Sequence, residues 1–172
     1  MILQGEKIKL RAIEQSDCQF LLGMINDPKI EEMVIGWSFP VSEREQLEWI
    51  NNLSHDFKNE RFVVEYETKP VGMVILSNMD LKNSTVSLGI KLTEQSRGLG
   101  IGTQAIKLAA EYCFNELNFN CITASILEYN ISSQKLYQKC GFKKEGVLRK
   151  RIYKKGKYHD IYSYSVLKEE YM

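Results

Sequence analysis

Polar and apolar positions alternate from Lys7 to Ile13, with Ile8, Leu10 and the Ala12–Ile13 pair on the apolar side, which predicts an edge strand. The period then lengthens. Phe20, Leu21, Met24 and Ile25 recur at helical spacing behind Ser16, an expected N-cap, and Asp27-Pro28 is expected to stop that helix. Ser42 and Glu45 form an S-x-x-E capping box ahead of Leu47, Trp49, Ile50 and Leu53, so a second helix is expected over 43–54. Between the two lies an apolar loop, Met33–Pro40, carrying Trp37 and Phe39. From Arg61 the pattern turns β-branched and aromatic. Phe62–Tyr66 and Val71–Leu76 read as a hairpin around Thr68-Lys69-Pro70, and Thr85–Leu92 as a third strand. A helix is expected over 103–117, with Ala105, Leu108, Ala109 and Tyr112 on one face, then a buried strand over Cys121–Leu127. Asn130 opens a short helix ending at Cys140, with Gly141 suited to the C′ position. Strands over 147–153 and 158–167 close the chain. The order β, α, α, β, β, β, α, β, α, β, β implies an α+β (α/β three-layer) fold around one mostly antiparallel sheet.

The 172 residues suit one domain spanning 1–172, and no repeat or low-complexity linker divides them. With 44% hydrophobic and 26% charged residues, the chain is neither disordered nor fibrous. No apolar run approaches the roughly 18–20 residues of a membrane span, and no signal-peptide pattern opens the chain, so no membrane partner and a cytoplasmic location are expected. Cys18, Cys113, Cys121 and Cys140 lack C-x-x-C spacing. With two histidines besides, no metal site is expected, and the thiols read as reduced and buried. The net charge of +1 conceals two unlike halves: residues 1–90 hold 9 Lys+Arg against 14 Asp+Glu, residues 91–172 hold 14 against 8. Such a split fits two differently charged ligands, or two halves that neutralise each other.

One string carries recognisable chemistry: Gln95-Ser96-Arg97-Gly98-Leu99-Gly100-Ile101-Gly102-Thr103, between a strand and a helix. Glycines at alternate positions admit φ > 0 and close backbone approach. Successive N–H groups and the positive end of the helix dipole can therefore converge on an anion, with Arg97 adding a full charge. Such a site would cradle a phosphate or pyrophosphate, the alternative being a tight strand-to-helix turn that needs glycine for geometry alone, but neither common phosphate motif fits. The G-x-x-x-x-G-K-[ST] string is absent, and a G-x-G-x-x-G reading from Gly98 and Gly100 fails at Thr103. What remains is (Q/R)-x-x-G-x-(G/A), matched by Arg97, Gly100 and Gly102. It is followed about 30 residues later by Asn130-Ile131-Ser132-Ser133-Gln134-Lys135-Leu136-Tyr137-Gln138-Lys139-Cys140-Gly141-Phe142.

In these two strings, in this order, the chain resembles the GCN5-related N-acetyltransferase (GNAT) superfamily. The likeness extends over essentially the whole chain toward the branch of ribosomal-protein-alanine and spermidine acetyltransferases. It implies that two parallel central strands, here Thr85–Leu92 and Cys121–Leu127, splay apart and admit the pantetheine of acetyl-CoA. It implies a cofactor site of Ile90, Lys91 and Leu92 (backbone amides), Arg97, Gly98, Leu99, Gly100, Ile101, Gly102 and Thr103, with Asn130, Ser133 and Tyr137. Tyr137 becomes the general acid for the departing thiolate, since a phenol of ordinary pKa about 10 matches a thiol well enough for proton transfer.

The general base is where this sequence departs from the family. The usual strand glutamate is replaced in Val86-Ser87-Leu88-Gly89, leaving Glu65 and Glu128 as candidates, or a base made unnecessary by an amine that arrives neutral. Glu128 and Trp37 are also expected to border the acceptor, beside Phe39 and Trp49. The acidic surplus of the first half, Glu31 and Glu32 included, favours a cationic acceptor. The expected activity is acetyl transfer to a primary amine on a small molecule or peptide, by direct attack in a ternary complex. A non-catalytic CoA-binding regulatory module stays open. So does a nucleic-acid partner for the basic stretch Lys143–Lys157, against which the lack of interleaved aromatics weighs. A homodimer is compatible with the sequence.

Overall fold

A computed structural model describes residues 2–36, 38–54 and 58–171. Its strands are β1 (Leu3–Gln4), β2 (Ile8–Arg11), β3 (Glu60–Tyr66), β4 (Lys69–Asp80), β5 (Thr85–Leu92), β6 (Cys121–Leu127), β7 (Lys143–Lys154) and β8 (Lys157–Leu167). They join in one sheet ordered β1-β2-β3-β4-β5-β6-β8-β7. Every neighbouring pair is antiparallel except β5 and β6. The helices are α1 (Cys18–Ile25), α2 (Pro28–Met33), α3 (Glu43–Asn51), α4 (Ile101–Asn115), α5 (Ile131–Lys139) and α6 (Lys168–Tyr171).

Alternation within each strand divides the molecule into layers. Leu10, Val64, Val74, Leu76, Val86 and Leu88 point to one face, where they pack with Ile101, Ala105, Ile106 and Ala109 of α4. On the other face a smaller cluster joins Cys18 and Leu21 of α1 to Ile50 of α3, with Met73 of β4 packed against it. The strand β2, expected at an edge, is second in the sheet because the two residues of β1 pair with it and become the edge themselves, and its Ile8 and Leu10 are buried in the core cluster with α4.

Two local signals resolve differently from their sequence reading, and a third holds. Asp27-Pro28 ends α1 but also begins α2: Asp27 accepts a hydrogen bond from the Lys29 amide at 2.8 Å, and proline at the first helical position loses no bond. Ser16 is not the cap of α1, because it lies inside the 3-10 turn Gln15–Asp17. There the Asp17 carboxylate takes the Glu14 amide at 2.9 Å and the fork of Arg11 at 2.8 and 2.9 Å. The Ser42–Glu45 box forms as expected and starts α3.

Burial alone would raise the pKa of Asp17, but the Arg11 fork and the Glu14 amide outweigh it and hold the carboxyl below its ordinary value. A depressed carboxylate stabilises the fold fully above its unfolded pKa, about 3.9, and the contribution is lost as pH falls through the folded value. In Asp17→Asn, the acid limb of a stability-versus-pH curve is expected to flatten below about pH 4, with a lower plateau at neutral pH. Urea titrations from about pH 2.5 to about pH 7 measure this, and an unchanged acid limb would show that the pair does not contribute.

Candidate active site

The parallel pairing of β5 with β6 lasts only from Thr85↔Cys121 to Ser87↔Thr123, where the Ser87 and Thr123 hydroxyls meet at 2.9 Å. Beyond that rung each strand keeps its outer partner, β4 for β5 and β8 for β6, and the two part. The chain fills the apex of this wedge with Tyr137 from α5. Its ring is 2% exposed and stands edge-on to Phe142, and its hydroxyl donates to the Leu88 carbonyl at 2.8 Å. Burial pushes the Tyr137 phenol well above its usual pKa, so it holds its proton throughout the neutral range.

That bond also fixes which backbone groups face the gap. Leu88 turns its carbonyl into the wedge, and strand alternation turns Ile90 and Leu92 the same way. Lys91 faces oppositely: it pairs with Met73 across β4, as the Thr93 amide bonds Val71 at 3.0 Å. Of the three amides expected to meet pantetheine, the gap therefore receives two. Lys91 reaches the cavities as a side chain instead.

After β5, Ser96 anchors the turn through its hydroxyl, which donates to Val71 and Thr93 carbonyls at 3.2 and 2.8 Å. The glycine-rich string follows. Gly98 and Gly100 stand at φ 78° and 77° with open space where a Cβ would project. Gly100 is the N-cap of α4, so first-turn amides without intrahelical partners point outward. Gly102 serves a different need: a Cβ there would come within 3.0 Å of Leu136 and 3.3 Å of Leu92, so glycine lets α4 close against α5 and β5. A cavity of about 410 Å³ opens over the loop, lined by Arg97, Gly98, Gly100, Gly102 and Thr103, with Lys135 and Lys139 across it on α5. The donors, cations and left-handed glycines fit a diphosphate. Leu99 is 57% exposed and Ile101 is packed in the core, so neither lines this cavity with its side chain.

A second cavity of about 400 Å³ adjoins the first, sharing Ile90, Lys91, Asn130 and Ser133 with it, and lies on the α1–α2 face of the wedge with Tyr137 in its wall. Its roof is the α2 segment, which the C-terminal half ties down. Lys154, buried, donates to the Glu31 carbonyl and carboxylate at 2.6 Å each and to the Gly36 carbonyl at 3.1 Å. Tyr129 donates to the Glu32 carbonyl at 2.7 Å, and Asn130 to that of Met33 at 3.0 Å. Asn130 also caps α5, accepting from the Ser133 amide at 3.1 Å.

Both candidate bases are placed elsewhere. Glu65 accepts from Arg11 Nε at 2.8 Å, with Lys9 at 3.7 Å, in the ion-pair cluster with Asp17; it lines neither cavity. Glu128 meets the buried His159 Nδ1 at 2.9 Å and lines neither cavity. Phe39 is 75% exposed, and Trp49 lies under the Arg61 guanidinium; Trp37 falls outside the described residues. Glu31 and Glu32, expected to favour a cationic acceptor, are ion-paired to Lys154 and Lys155 at 2.6 Å. The basic hairpin is partly neutralised by the same pairs, and by Lys143 with Glu170 and Lys150 with Asp160. Cys18, Cys113 and Cys140 are buried free thiols, and burial raises the Cys140 pKa, which leaves it a packing residue.

Residues 7–143 match the acetyltransferase (GNAT) domain family. The chain belongs to that family. This acetyltransferase is 31% identical over 173 residues to the uncharacterized N-acetyltransferase p20 of Bacillus licheniformis, covering 98% of this chain and 97% of that one. It is 28% identical to the putative ribosomal N-acetyltransferase YdaF of Bacillus subtilis, covering 97% and 94%. The fold superposes on the crystal structure of spermidine N-acetyltransferase from Vibrio cholerae in complex with CoA and spermine, with TM-score 0.89, 28% identity and coverage of 97% and 99%. The splayed mixed sheet flanked by helices is thus the GNAT fold. Two features of this acetyltransferase's site were not visible in its sequence, the Lys91 side chain and the Lys154 anchor. The only available sign was a lone lysine within an otherwise apolar strand end.

Proposed function

We propose that this enzyme, as one domain spanning 1–172, transfers acetyl from acetyl-CoA to a primary amine by direct attack in a ternary complex. The observation that carries the reading is that the two cavities meet along a shared wall of Ile90, Asn130 and Ser133, with Tyr137 in the wall of the one on the α1–α2 face. Acetyl-CoA supplies the acetyl thioester. Arg97, Lys135, Lys139 and the amides of the Gly98–Thr103 loop bind the diphosphate, while the Ile90 and Leu92 backbones orient the pantetheine arm. Tyr137 holds a proton at its hydroxyl and releases it to the departing sulfur. Among the described residues, Glu31 is the one carboxylate lining either cavity, and Lys154 occupies it. The amine therefore reacts as the neutral species. No thiol acts as a nucleophile.

Acetyl-CoA at about 100 times its Kd is expected to stabilise the chain by roughly 2.7 kcal/mol in a thermal melt. A thiol-release assay over an amine panel should show turnover, with kcat/KM rising with pH along the pKa of each amine rather than along one shared value. Absence of both the shift and turnover overturns the reading. A shared acidic pKa across all amines would instead restore an enzymic carboxylate base.

A further inference from the structure

The cavity on the α1–α2 face contains a charge that no described residue answers. Lys91 pairs with Met73, and Met73 packs on the α1–α3 cluster, so the Lys91 side chain leaves the sheet on that face. It is half-buried, lines the cavity, and forms neither a hydrogen bond nor an ion pair among the described residues. The charged groups that bear on it are Arg61 and Lys154, both cations, and together with burial they lower its pKa. Glu31 does not offset them, because its carboxylate is held by Lys154. A partly desolvated ammonium without a counter-ion is unfavourable, and an anion placed in the cavity would relieve it. The wall mixes polar groups, Ser77, Ser125 and Asn130 among them, with apolar side chains that include Met24, Ile30, Met33 and Ile75, and about 400 Å³ holds a compact molecule whose body meets those apolar side chains.

From this juxtaposition we infer that the acceptor is an amino carboxylate with an apolar body, whose carboxylate pairs with Lys91 while its amine faces the wedge. A polyamine would bring a second positive charge to the same place. The inference rests on the acetyltransferase reading above and narrows its acceptor class.

The test uses matched pairs in a thiol-release assay with the intact chain: leucine against isoamylamine, phenylalanine against phenethylamine, and spermidine beside them. Wild-type enzyme is expected to favour the carboxylate-bearing member of each pair in kcat/KM by about ten- to a hundredfold, the range of one charge-assisted contact. In Lys91→Met that ratio should collapse toward unity, and in Lys91→Glu it should invert toward spermidine. Faster turnover of the plain amines or of spermidine by wild type overturns the inference. So does an equal loss with every amine in Lys91→Met, which would make Lys91 a base. Lys91 also borders the diphosphate cavity. Calorimetric acetyl-CoA affinity is therefore read in the same variants, and a weakened affinity with an unchanged ratio assigns the ammonium to the cofactor and overturns the inference. Acetyl-CoA binding with no turnover of either amino acid overturns it too, and leaves the cofactor site standing. If acetyl-CoA neither shifts the melt nor releases thiol with any amine, the underlying reading is what has failed.

Discussion

Tyr137→Phe should lower kcat by about 10²- to 10⁴-fold, the usual contribution of a positioned general acid, while acetyl-CoA affinity stays within a small factor of wild type. The ring would keep its edge-on packing against Phe142 at 5.0 Å, so the wedge apex stays filled. Losing the hydroxyl leaves the Leu88 carbonyl without that donor, at a stability cost of about 1 kcal/mol. Binding and chemistry are thereby separated: calorimetry reports an intact cofactor site, and single-turnover kinetics report the missing proton. Because burial raises the phenol pKa, wild-type kcat should also show no alkaline decline attributable to this residue near its ordinary value of about 10. Unchanged turnover in the variant removes Tyr137 from the chemistry.

The second large effect is expected at Gly100. A β-branched side chain there meets two penalties of different kinds. The backbone stands at φ 77°, where a non-glycine residue costs roughly 1–2 kcal/mol. The side chain would also project into space with no protein atom within 4 Å, the bowl over the loop. Gly100→Val should therefore melt a few degrees lower yet remain folded, and lose affinity for acetyl-CoA by more than about a hundredfold, the scale of several lost charge-assisted bonds. A melt repeated with saturating acetyl-CoA should show no stabilisation. Retention of the wild-type shift would move the diphosphate away from this loop.

Both predictions rest on elements that the sequence displays openly. The strands β5 and β6 have the limits their apolar, β-branched runs imply, and Asn130 caps α5 as its position suggests. What stayed hidden depends on partners far apart or on register. Lys154 and Glu31 are 123 positions apart, and nothing local to either announces the pair. Glu65 looked available because Arg11, which occupies it, lies 54 residues away. With only six residues, α2 has too few turns to display a helical period, and its proline reads more readily as a stop. Lys91 shows the subtlest case. Whether a strand residue offers its amide or its side chain to a gap depends on its phase against the neighbouring strand, which periodicity does not reveal.

The early end of the β5–β6 ladder leaves unpaired backbone inside the sheet rather than at its rim. Unpaired backbone along a strand normally invites addition of another chain, and proteins guard against it at their perimeter with charges, bulges or very short strands. Here the exposed row of donors and acceptors sits mid-sheet, recessed between β6, α5 and the α2 roof. The row is offered to what enters the wedge and not to a chain arriving at the rim of the sheet.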